Sequence, residues 1–309
     1  MQIVRSLDEI EYDPCSCVTL GTFDGVHLGH QALIQTLIRN AKQRSGRSVL
    51  LTFEPHPQTV LRGQPTLRLT TEAEKIAALE ESNPDVLFII PFTMELAGLP
   101  PEDFIRQYMI DQIGLGCLFT GFNHAFGKDK QGTKAFLEQL SKTHGFHLQI
   151  VDPVYVDEML VSSSQIRALI QDGNVKEAAK LLGKCYALSG TVVQGKQVGE
   201  KLGFPTANLE VDHPEKVLPT DGVYAVYVKM KETTYSGTCN IGFSPTIKGE
   251  KREIEIFLHD YAGDLYSETL KIQFVERLRN EMKFNTVDEL VEQMEQDRRN
   301  SERLLSQSL

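Results

Sequence analysis

The sequence predicts an α/β domain built on a parallel sheet, followed by an all-β domain that ends in a helix. Three observations carry this. Up to about residue 183, short apolar runs alternate with stretches of helical periodicity, the pattern of a parallel sheet covered on both faces. Beyond it, strand-like runs follow one another with loops between them, the pattern of an antiparallel barrel or sandwich. The tail returns to helical spacing.

In order, residues 18–23 read as the first strand. A helix over 31–43 follows, with Leu33, Ile34, Leu37, Ile38 and Ala41 on one face. Residues 48–53 form a second apolar strand, and 70–79 a helix with Thr71 and Glu74 at capping-box spacing. A third strand covers 86–90, and Pro101 opens a helix over 101–112. Residues 117–120 and 147–151 are strands, with a helix near 134–142 between them. Short helices over 163–171 and 175–182 come next, the second stopped by Gly183. Strands then cover 188–193, 223–230, 235–241, 254–259 and 270–275. In the tail, Thr286 and Glu289 again have capping-box spacing, and Val287, Leu290, Val291 and Met294 form an apolar stripe. The boundary falls near 183–187 and divides domain 1–184 from domain 185–309.

Composition narrows the function. A chain of 309 residues holds two ordinary domains, and 41% hydrophobic content supplies a core for both. The formal charge of −10 argues against a general nucleic-acid or anionic-membrane binder, because those surfaces select positive charge. An anionic substrate therefore needs a local basic site and a metal ion. The five Cys are scattered and odd in number, which argues against a disulfide framework, and Cys15 and Cys17 lack a second pair at zinc-finger spacing. The start of the chain has no secretory pattern, and no run reaches the ~18 apolar residues of a membrane span. A soluble, cytoplasmic protein is expected, a monomer or weak homo-oligomer without nucleic-acid or membrane partners.

Residues 21–30, GTFDGVHLGH, run from a strand end into a helix. Ligands of open parallel sheets bind at strand carboxyl ends, and a helix N-terminus offers free N–H groups to phosphate. Gly21, Gly25 and Gly29 permit close backbone approach, while Phe23 and Asp24 complete the turn. His27 and His30 are three apart, so both imidazoles present from one side of the entering turn. Two positioned donors suit in-line attack at phosphorus, where charge builds on the oxygens. A Gly-rich turn with one capping histidine is the plainer alternative.

This stretch resembles the HxGH motif of nucleotidyltransferases, and with FDGVH it resembles the bacterial bifunctional riboflavin kinase/FAD synthetase family. TFEPHP at 52–57, TGFNHAFGKDKQG at 120–132 and SSSQIR at 162–167 fit the same family. The resemblance implies that Ser163, Ser164 and Arg167 hold ATP phosphates, that Asn123 lies near the adenylylation site, and that His56 lines the FMN phosphate pocket. His124 and Ala125 stand where the family more often has Phe and Arg.

A second constellation lies at 194–209, QGKQVGEKLGFPTANL. Gly195, Gly199 and Gly203 recur every four residues and suit a phosphate-wrapping loop, with Lys201 inside it. Thr206 and Asn208 are two apart, so an extended segment aims both the same way, and their oxygens are hard donors that suit Mg²⁺. A hairpin followed by a proline turn explains the spacing equally well. GFPTAN resembles the riboflavin kinase motif whose Thr and Asn bind the nucleotide-bound metal. NIGFSPTIKG from Asn240 and REIEIFLHDYAGDLY from Arg252 resemble two further family stretches. Aligned on Asp260-Tyr261, the family's catalytic Glu falls on Glu255. FVERLRNEMKF at 274–284 matches the region flanking the flavin, with Arg277 the flavin-side candidate, and Arg277 and Arg279 are expected to serve structure more than catalysis. Glu200 departs from the usual Arg or Lys, with Lys196 or Lys201 to compensate, and Ser267 departs from the usual Gly.

The resemblance spans nearly the whole chain. It implies a Rossmann-like nucleotidyltransferase domain and an antiparallel β-barrel riboflavin kinase domain ending in a helix. The barrel would phosphorylate riboflavin with ATP to FMN, and the α/β domain would adenylylate FMN to FAD and pyrophosphate, both with Mg²⁺. Three rivals are an enzyme with one live site, a non-catalytic flavin or nucleotide sensor, and another HxGH enzyme such as a class I aminoacyl-tRNA synthetase. The intact motifs weigh against the sensor, and the lack of a KMSKS-like segment against the synthetase.

Overall fold

The computed structural model describes residues 1–122, 132–195, 203–246 and 249–307, with side chains outside 244–251. The expectations placed on Asn123, His124, Ala125, Lys196, Gly199, Glu200 and Lys201 lie outside the described residues. The chain forms two compact units, Met1–Ser163 and Ser164–Leu309.

The first unit carries a six-stranded sheet, β1 (Gln2–Val4), β2 (Ser16–Leu20), β3 (Ser48–Glu54), β4 (Val86–Pro91), β5 (Leu115–Gly121) and β6 (His147–Val151), in the order β1-β4-β3-β2-β5-β6. Each neighbouring pair is parallel. Apolar strand residues fill both faces in alternation. Val18, Leu20, Val49, Leu51, Phe88 and Leu118 face one core, and Cys17, Leu50, Leu87, Ile89, Cys117 and Phe119 the other. Helix α1 (Leu28–Gln43) lays Leu33, Ile34, Leu37 and Ala41 on the second core. Burying a side chain such as Ile34 or Leu37 contributes about 2 kcal/mol. The strand order reverses between β2 and β5, which makes their carboxyl ends the switch point where such sheets bind ligands.

Short helices α2 (Pro57–Arg62), α3 (Glu72–Ser82), α4 (Met94–Gly98) and α5 (Pro101–Phe104) link the strands. The Thr71–Glu74 capping box forms in full and starts α3. The helix expected over 101–112 is α-helical only through Phe104 and continues as a π-helix over Ile105–Ile113. Its buried Ile105, Met109 and Ile113 recur every four residues, and Gly114 at φ 85° ends it. Helix α6 (Lys134–His144) and the hairpin of β7 (Tyr155–Val156) and β8 (Met159–Leu160) complete this unit.

Helices α7 (Ser163–Gln171) and α8 (Val175–Leu182) precede the barrel, and Gly183 at φ 75° caps α8. The barrel strands are β9 (Tyr186–Val193), β10 (Ala207–Val211), β11 (Gly222–Met230), β12 (Thr233–Thr246), β13 (Gly249–Leu258) and β14 (Thr269–Arg279). They close in the order β10-β13-β12-β11-β14-β9, with β10 paired to β9. This resolves barrel against sandwich. β10 is only five residues long and carries Asn and Glu, so it lacks a clear strand pattern, yet it is the strand that closes the ring. The interior holds Leu188, Leu209, Val226, Ile256, Ile272 and Phe274.

The tail forms α9 (Val287–Ser306). Only half of its capping box forms. Glu289 N–H donates to Thr286 Oγ1, but the Glu289 carboxylate accepts from Asn285 N–H instead of Thr286. Of the expected apolar stripe, Leu290, Val291 and Met294 are half-buried, and Val287 is not covered. Val287 is 58% exposed, and the buried face of α9 is Asp297, Ser301 and Leu305. Asp297 receives a two-pronged contact from Arg279 at 2.7–3.0 Å, and Ser301 donates to Gly237 O, so this face is held by polar contacts as well as packing.

Candidate active sites

The first site is the loop from β2 to α1. His27 is the N-cap of α1, and its Nδ1 accepts from His30 N–H at 3.3 Å. With that nitrogen occupied as an acceptor, it is Nε2 that can carry a proton toward a ligand. The His27 and His30 rings stack at 3.6 Å and 15°, and Phe23 meets His30 edge-on at 5.2 Å. Burial, and then the charge of His27, hold His30 well below the ordinary histidine range, so it works as a neutral imidazole. The cap consumes the His30 amide, while those of Leu28 and Gly29 have no acceptor within the helix and are available to phosphate oxygens.

The loop is tightly held. Phe23 at φ 49°, Gly25 at φ 86° and Val26 at φ 42° are left-handed, and for Val this costs on the order of 1–3 kcal/mol. Phe23 and Val26 are buried, which fixes the conformation. A Cβ on Gly29 would sit 3.2 Å from the His27 ring, and one on Gly21 would sit 3.3 Å from the Phe23 ring. Asp24 is buried, and its carboxylate accepts from the amides of Leu69 and Thr70 at 2.9–3.1 Å. Ser163 Oγ donates to Asp24 O at 2.9 Å.

The structure thus brings Gly21, Phe23, Asp24, His27, Gly29, His30 and Ser163 together. Ser164 is exposed, and half-buried Arg167 lies on α7 in the second unit. His56 is buried and caps α2, its Nδ1 accepting from Gln58 N–H at 3.2 Å.

The second site is built on barrel register. Asn208 on β10 lies opposite Glu255 on β13, and Glu255 lies opposite Asn240 on β12. Directly opposed side chains are ~5 Å apart and share a face, so these three form one polar row across three strands. Alternation sends Ile254 and Ile256 to the buried side and leaves half-buried Glu255 on the other. Burial and then the Glu255 charge push the neighbouring Cys239 thiol up.

Thr206 sits just before β10, two residues from Asn208. Gly203 at φ 82° and buried Phe204, edge-on to Phe257 at 5.3 Å, shape the approach. A Cβ on Gly195 would fall on the Asn208 carboxamide, so only glycine leaves room for that side chain. Gly195→Ala is expected to displace Asn208 and slow this site about 10²-fold, the scale of a 1 Å misplacement. Steady-state rates of both reactions check it, and the first site should be unaffected.

Arg277 is held among main-chain groups. It donates to Asp221 O, packs against Gly173 and Gly222, and lies 6.0 Å from the Tyr224 ring centroid. Burial raises the Tyr224 hydroxyl to about 12, and it donates to Thr220 O at 2.6 Å.

The oxygen donors at the second site are the Thr206 hydroxyl, the Asn208 and Asn240 amides and the Glu255 carboxylate. They suit a Mg²⁺ that keeps most of its ligands as nucleotide oxygens and water. Sequence reasoning did not find the Asp24 contact to Leu69 and Thr70, which joins residues 45 or more apart. It also did not find the Asn208–Glu255–Asn240 row, because strand register is not written in the local pattern.

Two family models match the chain, FAD synthetase over residues 9–165 and riboflavin kinase over residues 182–305. The bifunctional riboflavin kinase/FMN adenylyltransferase of Bacillus subtilis is 37% identical over 297 residues, covering 94% of this chain and 93% of that protein. Its namesake in Haemophilus influenzae is 33% identical, covering 96% and 97%, and that of Escherichia coli K12 is 33% identical, covering 96% of each. A solved structure from Streptococcus pneumoniae, described as a macrolide-efflux protein, matches with TM-score 0.86 and 32% identity over 97% of this chain and 98% of its own. No helix among the described residues here is long and apolar enough to cross a membrane.

Proposed function

Because the chain belongs to the bifunctional riboflavin kinase/FMN adenylyltransferase family and carries both activities, we propose that domain 1–184 adenylylates FMN and domain 185–309 phosphorylates riboflavin, each with the residues assembled above. The stacked His27–His30 pair at the start of α1, with His30 held neutral by burial, is the observation that supports the first assignment. An FMN phosphate oxygen attacks the α-phosphorus of ATP, and pyrophosphate leaves. The imidazole N–H groups and the free amides of α1 donate to the oxygens on which charge develops. Asp24 positions the loop through Leu69 and Thr70, and Gly21, Phe23 and Gly29 keep its shape. Ser163 acts on this loop through Asp24 O. On the family resemblance, Ser163 and Arg167 are assigned to the leaving pyrophosphate, Ser164 to the ATP phosphates and Asn123 to the adenylylation site. His56 is assigned to the FMN side.

In the barrel, Glu255 takes the proton of the riboflavin 5′-hydroxyl as that oxygen attacks the γ-phosphate. Its place opposite Asn208 supports this. Thr206 and Asn208 would hold Mg²⁺, which supplies charge neutralisation on the nucleotide when bound. Gly195, Gly199, Lys201 and Gly203 are assigned to the ATP phosphates, and Arg277 to the wall of the flavin pocket. A monomer or weak homo-oligomer in the cytoplasm, acting on riboflavin, FMN and ATP, completes the reading.

The test supplies riboflavin or FMN with ATP and Mg²⁺ and separates the flavins by chromatography. Riboflavin should yield FMN and then FAD, and FMN should yield FAD. Excess EDTA should stop both conversions and added Mg²⁺ restore them. Unchanged rates in EDTA would remove the metal from the assignment.

A further inference from the structure

A buried charged cluster beside the first site has no role in the assignments above. Lys75 on α3 is only 5% exposed. Its Nζ donates to Thr52 Oγ1 at 3.3 Å and Phe53 O at 3.4 Å, and lies 3.5 Å from the Glu54 carboxylate. Glu54 also accepts from Arg68 at 2.8 Å. Thr52 is fully buried, and its hydroxyl passes the connection on by donating to Thr22 O at 3.3 Å. Thr22 stands inside the 21–30 loop, and Glu54 opens the 54–57 segment that carries His56. The start of α3 is tied to the same loop from the other side, through Asp24 on Leu69 and Thr70 and Gly25 N–H on Thr70 Oγ1. The result is a closed circuit of Thr22, Asp24, Thr70, α3, Lys75 and Thr52.

A buried ammonium is costly unless its donors are used. Here all its described partners belong to β3, the strand that leads into the 54–57 segment. A helix anchored only by packing would not need it. We propose that Lys75 is a positioning residue for adenylyl transfer, joining the 21–30 loop to the 54–57 segment so that ATP and FMN are held at a fixed separation. The inference rests on assigning adenylyl transfer to the 21–30 loop.

The charged groups facing Lys75 are Glu54 from β3, Arg68 from the segment ahead of α3 and Asp24 from the 21–30 loop. Burial pulls the lysine below its ordinary range, and Glu54 opposes that pull. Lys75 therefore loses its proton, and its hold on the two segments, at a lower pH than an ordinary lysine. Removing the Glu54 charge must lower that pH further.

The experiment uses the full chain with the variants Lys75→Met, Glu54→Gln and, as reference, His30→Ala, measuring FAD formation from FMN and FMN formation from riboflavin across the alkaline range. Lys75→Met should slow FAD formation about 10²-fold, with riboflavin phosphorylation within about twofold. Glu54→Gln preserves shape and should move the alkaline fall in FAD formation to lower pH. A Lys75→Met rate close to that of the unaltered protein overturns the proposal. So does an unmoved alkaline fall in Glu54→Gln, since a purely structural ion pair would leave it in place. If His30→Ala also leaves FAD formation intact, the fault lies in the assignment of the 21–30 loop. If His30→Ala abolishes it while Lys75→Met does not, only the role of Lys75 fails.

Discussion

Replacing His30 with alanine is expected to slow FAD formation from FMN by about 10²- to 10³-fold, the loss that follows removal of one preorganised donor at a developing oxyanion. Riboflavin phosphorylation should be unchanged, because the barrel contributes none of the first site's stacked ring pair. The variant removes more than a donor. It takes away the ring that His27 stacks on and that Phe23 meets edge-on. His27 still caps the helix, since the cap uses the residue-30 amide, so the loop should keep its course. Chromatographic rates with FMN and with riboflavin separate the two reactions. Loss of both activities would count against a division between domains. The same variant has a pH signature. Burial keeps His30 neutral when the unfolded chain's histidine is already protonated. The unfolded state then binds more protons, so this ring's stability contribution is present above the ordinary histidine range and lost as pH falls through it. His30→Ala should therefore lose less melting temperature than the unaltered protein between about pH 7 and about pH 5.

The converse result is expected from Glu255→Gln. The amide keeps the size of the carboxylate but cannot take a proton, so riboflavin phosphorylation should fall by about 10²- to 10⁴-fold. FAD formation from supplied FMN should persist. Asn208→Ala should also stop the kinase reaction, with a different kinetic form. It removes an oxygen donor assigned to the metal-bound nucleotide, so the KM for ATP should rise and magnesium be required at higher concentration. Glu255→Gln should lower kcat with less effect on KM. Asn208 lies directly opposite Glu255 in the barrel register, so the double variant should show less than the product of the two single losses. Kinase activity retained in Glu255→Gln would move the base elsewhere.

Much of this was legible in the chain. The α/β half was readable because strands buried on both faces are continuous apolar runs and α1 has a clean apolar face. The Thr71–Glu74 cap was readable because its contacts are local. The tail helix was readable and half-buries Leu290, Val291 and Met294, but its most buried positions include the polar Asp297 and Ser301. Asp297 is buried through Arg279, a partner 18 residues away that no helical periodicity reveals. β10 was hidden for a related reason. Its strand character comes from pairing on both sides with β9 and β13, not from its own composition.

By itself the sequence determined the two domain types and, through resemblance, the two reactions, and it singled out residues 21–30 as the segment proposed to bind phosphate. These depend on residue type and short spacing, which the chain carries in order. Tertiary structure alone decided that β2 and β5 meet at the reversal of strand order, that His27 and His30 stack instead of merely sharing a side, and that Asp24 grips Leu69 and Thr70. It also closed the barrel through β10 and set Asn208, Glu255 and Asn240 in one row. The physical reason is common to all of these. Each is a contact between segments distant in the chain, chosen by burial and hydrogen-bond pairing of the whole fold.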